Sequence, residues 1–78
     1  MALYFFDCRD NDWFDRDDIG AEFSDLEAVK FEAARALAQI AVDVIPKTIK
    51  RTLAIEVRDS DGPVMITTLI FEAIILRA

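Results

Sequence analysis

The sequence predicts a small α+β domain: an antiparallel sheet of three or four strands with one long helix packed on one face, in the order β(β)αββ. Two observations carry this prediction. Apolar residues recur every three or four positions over residues 25–44, and from residue 52 they alternate with polar ones. Because a chain of 78 residues has room for one core, we expect residues 1–78 to form a single domain.

The first predicted strand is the aromatic-rich segment from Leu3 to Cys8, which a polar cluster follows. Residues 9–20 then hold five aspartates and one asparagine, which favour turns. Trp13 and Phe14 stand inside this acidic loop. The sequence leaves open whether residues 13–15 form a second strand, and whether the two aromatic side chains cover the core or anchor a partner.

The helix is predicted over residues 25–44. Ser24 and Glu27 have the spacing of a capping box, with Ser24 as the N-cap residue. Leu37 lies near the centre of the apolar face that follows. Pro46 ends the helix, because the residue before a proline is pushed out of the helical region.

The last two predicted strands form a hairpin. Residues 52–59 alternate between apolar and polar side chains, and Asp59-Ser60-Asp61-Gly62 has the composition of a tight turn. Pro63 is compatible with a strand only at its first position. Residues 64–76 then continue with apolar side chains on both faces.

Three isoleucines of the last strand are the predicted interaction residues: Ile66, Ile70 and Ile74. They project to one side of the sheet, and the single helix covers only one side. The sequence therefore predicts a homodimer that stacks sheet on sheet or pairs the last strands edge to edge. The alternative is that the chain's own tail, or Leu3 and Phe5, cover these isoleucines.

All of the net charge of −6 lies in the first third of the chain. Residues 1–25 hold eight acids and two bases, whereas residues 26–78 hold seven of each. Since an acidic protein repels phosphates and anionic lipid, we expect the isolated chain to bind neither nucleic acid nor membrane. No secretory signal or membrane-spanning stretch is visible, so the predicted compartment is the cytoplasm.

The composition excludes common catalytic and cofactor chemistries. With no histidine, one cysteine and two glycines, the chain has no basis for Ser-His or Cys-His catalysis, a structural zinc site or a glycine-rich phosphate loop. The acidic loop fails the EF-hand pattern, because Ile19 and Leu26 stand at ligand positions. We therefore expect no catalytic residue, no metal and no cofactor, and little room for a pocket of about 300 Å³.

Six segments occur together in a characteristic order: Tyr4-Phe5-Phe6-Asp7, Arg9-Asp10, Gly20-x-Glu22-x-x-Asp25-Leu26-Glu27-Ala28, Glu32-Ala33, Leu53-Ala54-Ile55-Glu56-Val57-Arg58-Asp59, and Asp61-Gly62 with Val64. On these residues the chain resembles a family of short, uncharacterised bacterial proteins, a domain of unknown function. The resemblance implies a cytosolic α+β protein and no particular activity. The chain departs from the pattern at Asn11-Asp12, where members often carry glycine, and in its more apolar final strand.

These observations favour a non-enzymatic protein that self-associates and serves as an interaction or regulatory module. An antitoxin-like domain that binds a partner protein is the alternative, on overall shape alone. A further alternative is a carboxylate-dependent or divalent-cation-binding protein that uses the acidic loop. That alternative requires a concave site with converging carboxylates.

Overall fold

The computed structural model of the chain describes residues 1–77. Within them, the elements in chain order are β1 (Ala2–Asp10), β2 (Trp13–Asp15), β3 (Ala21–Phe23), α1 (Leu26–Val44), a 3-10 helix (Ile45–Lys47), β4 (Lys50–Asp59) and β5 (Gly62–Glu72). The predicted α+β class is confirmed, and the order is βββαββ. The open question of residues 13–15 is answered by β2, whereas β3 was not predicted.

The strand order in the sheet is β2-β1-β4-β5, and all neighbours are antiparallel. β2 pairs with the C-terminal end of β1, and β3 pairs with its N-terminal end. Between these two pairings, the carboxylate of Asp17 accepts a hydrogen bond from the Phe6 N–H at 3.0 Å. In the segment between β2 and β3, a side-chain carboxylate thus takes the place of a backbone carbonyl as hydrogen-bond acceptor for β1.

The turn from β1 to β2 depends on Asn11, whose φ of 52° lies in the left-handed region. Asparagine enters this region more readily than other residues with a side chain. The Asn11 N–H donates to the Thr52 carbonyl at 2.8 Å, and its side-chain oxygen accepts from the Thr52 N–H at 3.0 Å. A backbone of this shape also suits the glycine that the sequence pattern often has after the Arg-Asp pair.

β4 and β5 form the predicted hairpin. Gly62 has a φ of 119°, which strains any residue with a side chain, and the Asp59 carboxylate accepts from the Asp61 N–H at 2.8 Å. A bulge beside Val57 and Arg58 shifts the register next to Pro63. Proline is tolerated there because the ladder is already interrupted.

The helix begins one residue later than predicted. Asp25, not Ser24, is the N-cap residue: its backbone is extended, and its carboxylate accepts a hydrogen bond from the Ala28 N–H at 2.8 Å. The capping-box prediction for Ser24 and Glu27 is therefore wrong. Both residue types are good caps, and the negative charge of aspartate also interacts favourably with the helix dipole. The helix ends at Val44, as predicted, but the expected reason is wrong: Ile45 before Pro46 keeps helical dihedrals, and the chain continues into the 3-10 helix.

Replacing Asp25 by alanine should lower the free energy of unfolding by about 1 kcal/mol, because the Ala28 N–H loses its acceptor. Ser24→Ala is the matched control and should leave stability nearly unchanged. Urea denaturation of both variants at one protein concentration measures the difference. A larger loss in Ser24→Ala than in Asp25→Ala would show that the cap lies at Ser24.

The core lies between α1 and the inner face of the sheet, which is the face that α1 covers. Its buried members come from the helix and from β4: Val29, Ala33, Leu37, Leu53, Ile55 and Val57. They are spaced by four along the helix and by two along the strand, as the sequence periods predict. No residue of β5 is fully buried, so the helix leaves the last strand only partly covered.

The folded chain exposes more surface than its size requires. Its accessible surface is 5739 Å², whereas a monomer of this mass is expected to expose about 4,800 Å². The radius of gyration is 14.3 Å, against about 11.5 Å for a compact domain of this length. The exposed end of the chain beyond β5 contributes to this excess, since Ile74, Ile75 and Leu76 are 72%, 74% and 91% exposed.

Candidate interaction surface

The outer face of β5, turned away from α1, carries two of the three predicted interaction residues. Ile66 and Ile70 are each 68% exposed. The alternative that the chain's own tail, or Leu3 and Phe5, cover them is therefore wrong for the described residues. Ile74 is also exposed, but it lies beyond the end of β5 at Glu72.

The outer face of the sheet is divided into a charged half and an apolar half. On β1 and β4, Arg9 pairs with Glu56 at 2.8 Å and Arg58 pairs with Asp7 at 2.9 Å. On β5, residues 64–70 present valine, isoleucine and threonine side chains to the outer face, and Glu72 at the end of the strand pairs with Lys50 of β4. The apolar half thus lies at the border of the sheet and the charged half towards its middle.

β5 is an edge strand. It pairs with β4 on one side, and no described strand pairs with its other side. Edge strands usually carry charges, prolines or bulges that hinder pairing with another chain. In β5, Pro63 and the bulge stand only at the beginning, and residues 62–71 hold no charged side chain. Most of this edge is therefore open to pairing.

An apolar groove runs beside this edge, between α1 and β5. It consists of two depressions of about 450 and 340 Å³ that share Ala38 and Leu69. The expectation of little room for a pocket is thus wrong, because the helix covers β5 incompletely. Small and apolar side chains dominate the lining of this α1–β5 groove, and Lys30, Thr67 and Thr68 are its polar members.

A buried ion pair fixes the acidic loop on the outer face. Asp7 is 5% exposed and accepts hydrogen bonds from Arg58 and from the Asp17 N–H. The Arg58 guanidinium also donates to the Asp17 carbonyl at 2.7 Å and lies 4.5 Å from the centre of the Phe5 ring. One guanidinium thus links β1, β4 and the loop.

The carboxylates of this network remain ionised at neutral pH. Burial alone would raise the pKa of Asp7, but hydrogen bonds from Arg58 and the Asp17 backbone lower it below its ordinary value. Burial would likewise raise the pKa of Asp17, and the N–H groups of Phe6, Gly20 and Ile19 lower it. The hydrogen bond from Arg51 lowers the pKa of Asp10. These shifts stabilise the negative charge and oppose a role as proton donor.

The thiol of Cys8 and the grouping of possible metal ligands both bear on reactivity. Burial raises the pKa of the Cys8 thiol, and the charges of Asp10 and Asp15 raise it further, so the nucleophilic thiolate is disfavoured. Within the same residues, no group of three or more histidine, cysteine, aspartate or glutamate side chains is arranged to hold a metal ion.

Trp13 and Phe14 lie on the surface. Both side chains are exposed, so they do not cover an end of the core. Phe14 instead packs against the Arg9 guanidinium, which lies 4.6 Å from the ring centre. Trp13 remains the more exposed of the two, in the short strand β2 at the edge opposite β5.

None of the described helices is both long and apolar enough to cross a membrane.

The fold and this surface define a small α+β domain with one helix on an antiparallel sheet and an open apolar edge. By sequence, the chain belongs to DUF6894, a family described as a domain of unknown function, whose model matches residues 3–71. The predicted resemblance to a domain of unknown function is thereby confirmed. No curated protein and no solved structure matches the chain.

Sequence reasoning found the isoleucines of this surface and missed the α1–β5 groove. The groove depends on where the helix axis lies over the sheet, which the periodicity of one element does not specify. The sequence does carry one indication of the groove, which is the row of small residues Ala34, Ala38 and Ala41 on the helix. Alanines leave space where larger side chains would fill it.

Proposed function

We propose that the chain is a non-enzymatic, cytoplasmic interaction or regulatory module that forms a homodimer through the surface around β5. The observation that carries this proposal is an edge strand, uncharged over residues 62–71, with exposed isoleucines on one face and an apolar groove on the other. Exposing an isoleucine forgoes about 1.5–3 kcal/mol of burial free energy. A second copy recovers part of it.

The arrangement of charged groups supports a non-enzymatic role. Asp7, Asp10 and Glu56 each pair with an arginine. Asp7 and Glu56 do line a depression of about 230 Å³ on the outer face, but the larger α1–β5 groove is lined mainly by apolar side chains. General acid–base chemistry requires a carboxyl group with a pKa near the working pH inside a cleft. The carboxylates of this chain serve instead as partners of arginines and backbone N–H groups.

The partner that this proposal favours is protein, and neither nucleic acid nor membrane. The net charge of −6 opposes binding of the isolated chain to phosphate-rich surfaces. The apolar surface around β5 has the character of a protein contact, since charged residues are depleted at the centres of such contacts. The acidic composition and the free cysteine are compatible with a cytoplasmic protein.

Analytical ultracentrifugation at micromolar concentration tests the proposal. We expect a dimer for the wild type and a monomer for Ile70→Lys, because a lysine on the outer face of β5 places its charge in the contact. Ile19→Lys is the matched control: it adds the same charge at an 86% exposed position in the loop between β2 and β3, and it should leave the dimer intact.

A wild type that sediments as a monomer would overturn the proposal and favour a domain that binds a different protein. Equal dissociation by Ile19→Lys and Ile70→Lys would show that added charge, rather than the position on β5, is what opposes association.

A further inference from the structure

We infer that the dimer forms by antiparallel pairing of β5 with β5 of a second copy, with Thr68 at the two-fold axis. The two sheets then join into one continuous sheet, in the order β2-β1-β4-β5-β5-β4-β1-β2. This inference rests on the proposed self-association and specifies its geometry. It excludes the other mode of association, in which the outer faces stack on each other.

The direction of the backbone groups supports the pairing. The Ala73 N–H donates to the Ile49 carbonyl at 2.7 Å, so the odd-numbered residues of this ladder bond to the β4 side. Because backbone groups alternate along a strand, the N–H and C=O groups of Ile66, Thr68 and Ile70 point to the free edge. They form a regular row with no partner among the described strands.

The register follows from the side chains on the outer face. With Thr68 opposite Thr68 of the copy, Ile66 stands opposite Ile70 and Ile70 opposite Ile66. Each of these three pairs exchanges two backbone hydrogen bonds, because the residues concerned all point their N–H and C=O groups outward. A shift by two residues in one direction places Ile66 opposite Glu72, and in the other direction it places Ile70 opposite Val64 beside the bulge.

Charge complementarity identifies the occupant as a second copy. The turn end of the β4–β5 hairpin carries Asp59 and Asp61, beside Arg58, which pairs with Asp7. The open end carries Lys47 and Arg77 together with Lys50, which pairs with Glu72 at 3.6 Å. Antiparallel pairing brings the acidic turn of each chain to the basic open end of the other. Parallel pairing would instead place like charges side by side.

The α1–β5 groove lies on the inner side of this seam. In the Thr68 register, Phe71 stands opposite Met65 of the copy, and Leu69 stands opposite Thr67. Phe71 and Leu69 line the groove, so the copy contributes side chains to the space that α1 leaves uncovered.

A proline at position 68 distinguishes edge-to-edge pairing from face-to-face stacking of the two sheets. The Thr68 N–H points to the free edge, so Thr68→Pro removes no hydrogen bond within the chain and blocks only the contact with the copy. We expect Thr68→Pro to be a folded monomer by circular dichroism and ultracentrifugation. The matched control Thr68→Ala keeps the N–H and should remain a dimer.

Hydrogen exchange of the wild type provides a second measurement that does not depend on folding of the variant. Edge pairing predicts that the N–H groups of Ile66, Thr68 and Ile70 exchange at least tenfold more slowly as the protein concentration rises through the dissociation constant. The N–H groups of Thr67 and Leu69, which point to β4, are the internal reference and should change much less.

A dimeric wild type in which these three N–H groups exchange equally fast at all concentrations would overturn edge pairing and leave self-association standing. A folded Thr68→Pro variant that remains a dimer would also overturn edge pairing and leave self-association standing. A wild type that is monomeric at all concentrations would overturn both proposals and would be expected if the edge binds a strand of another protein.

The register has its own test. Ile66→Glu and Ile70→Lys should each weaken the dimer at least tenfold. The double variant Ile66→Glu/Ile70→Lys should recover much of that loss, because in the Thr68 register each new carboxylate stands opposite a new ammonium group of the copy. A double variant that is weaker than both single variants would contradict this register.

Discussion

Replacing Asp7 by alanine should lower the free energy of unfolding by about 3–5 kcal/mol, the usual cost of removing one partner of a buried ion pair. The variant leaves the largely buried guanidinium of Arg58 without its carboxylate and the Asp17 N–H without its acceptor. A domain of this size is stabilised by only a few kcal/mol, so we expect the variant to be largely unfolded at 37 °C.

The control for this variant is Asp12→Ala. It removes an exposed carboxylate in the turn between β1 and β2 and should change the free energy of unfolding by less than about 0.5 kcal/mol. Urea denaturation at a fixed protein concentration measures both, since association shifts the apparent stability. A loss below about 1 kcal/mol for Asp7→Ala would show that water replaces the carboxylate and that the ion pair does not hold the loop.

The same pair gives stability a defined pH dependence. The pKa of Asp7 and of Asp17 in the folded state lies below the ordinary value, so folding favours their ionised forms. Their contribution is complete above about pH 5, where unfolded carboxyl groups of pKa ~4 are ionised, and is lost as pH falls through the folded pKa values. We expect Asp7→Asn to reduce this acid-dependent loss.

Leu37→Ala should lower the free energy of unfolding by about 2–5 kcal/mol, because it removes a buried side chain and leaves a cavity. Leu37 lies among Val29, Ala33 and the β4 side chains of the core. Thermal melting at constant protein concentration measures the loss, and a shift of about 4–8 °C is expected for each kcal/mol in a domain of this size.

Phe31→Ala is the control for Leu37→Ala, because Phe31 is 71% exposed on the same helix and loses little contact on truncation. We expect it to melt within a few degrees of the wild type. A larger loss for Phe31→Ala than for Leu37→Ala would mean that the helix presents a different face to the sheet.

The elements with regular periods could be predicted from the sequence. The four-residue spacing of Val29, Ala33 and Leu37 and the two-residue spacing along β4 both place the core correctly. The helix ends at Val44, next to Pro46, whose ring nitrogen has no N–H to donate, whereas Ile45 before it keeps helical dihedrals. These features are local, because each depends on a few neighbouring side chains and on the geometry of one element.

The features that depend on distant contacts could not be predicted. β3 is only three residues long and exists because β1 offers it a ladder. The choice of Asp25 over Ser24 as the cap depends on how the chain leaves β3. The Asp7–Arg58 pair joins residues 51 positions apart, and a sequence alone shows only that both charges are present.

The two borders of the sheet differ, and this difference bears on stoichiometry. On the side of β1, short β2 and β3 and the Asp17 carboxylate already occupy the ladder, and three-residue strands give an incoming chain little to pair with. Under the proposed edge pairing, the border at β5 is therefore the one among the described strands at which a second chain would add. An assembly with one reactive border per molecule terminates at two molecules, whereas two such borders would permit open-ended fibres.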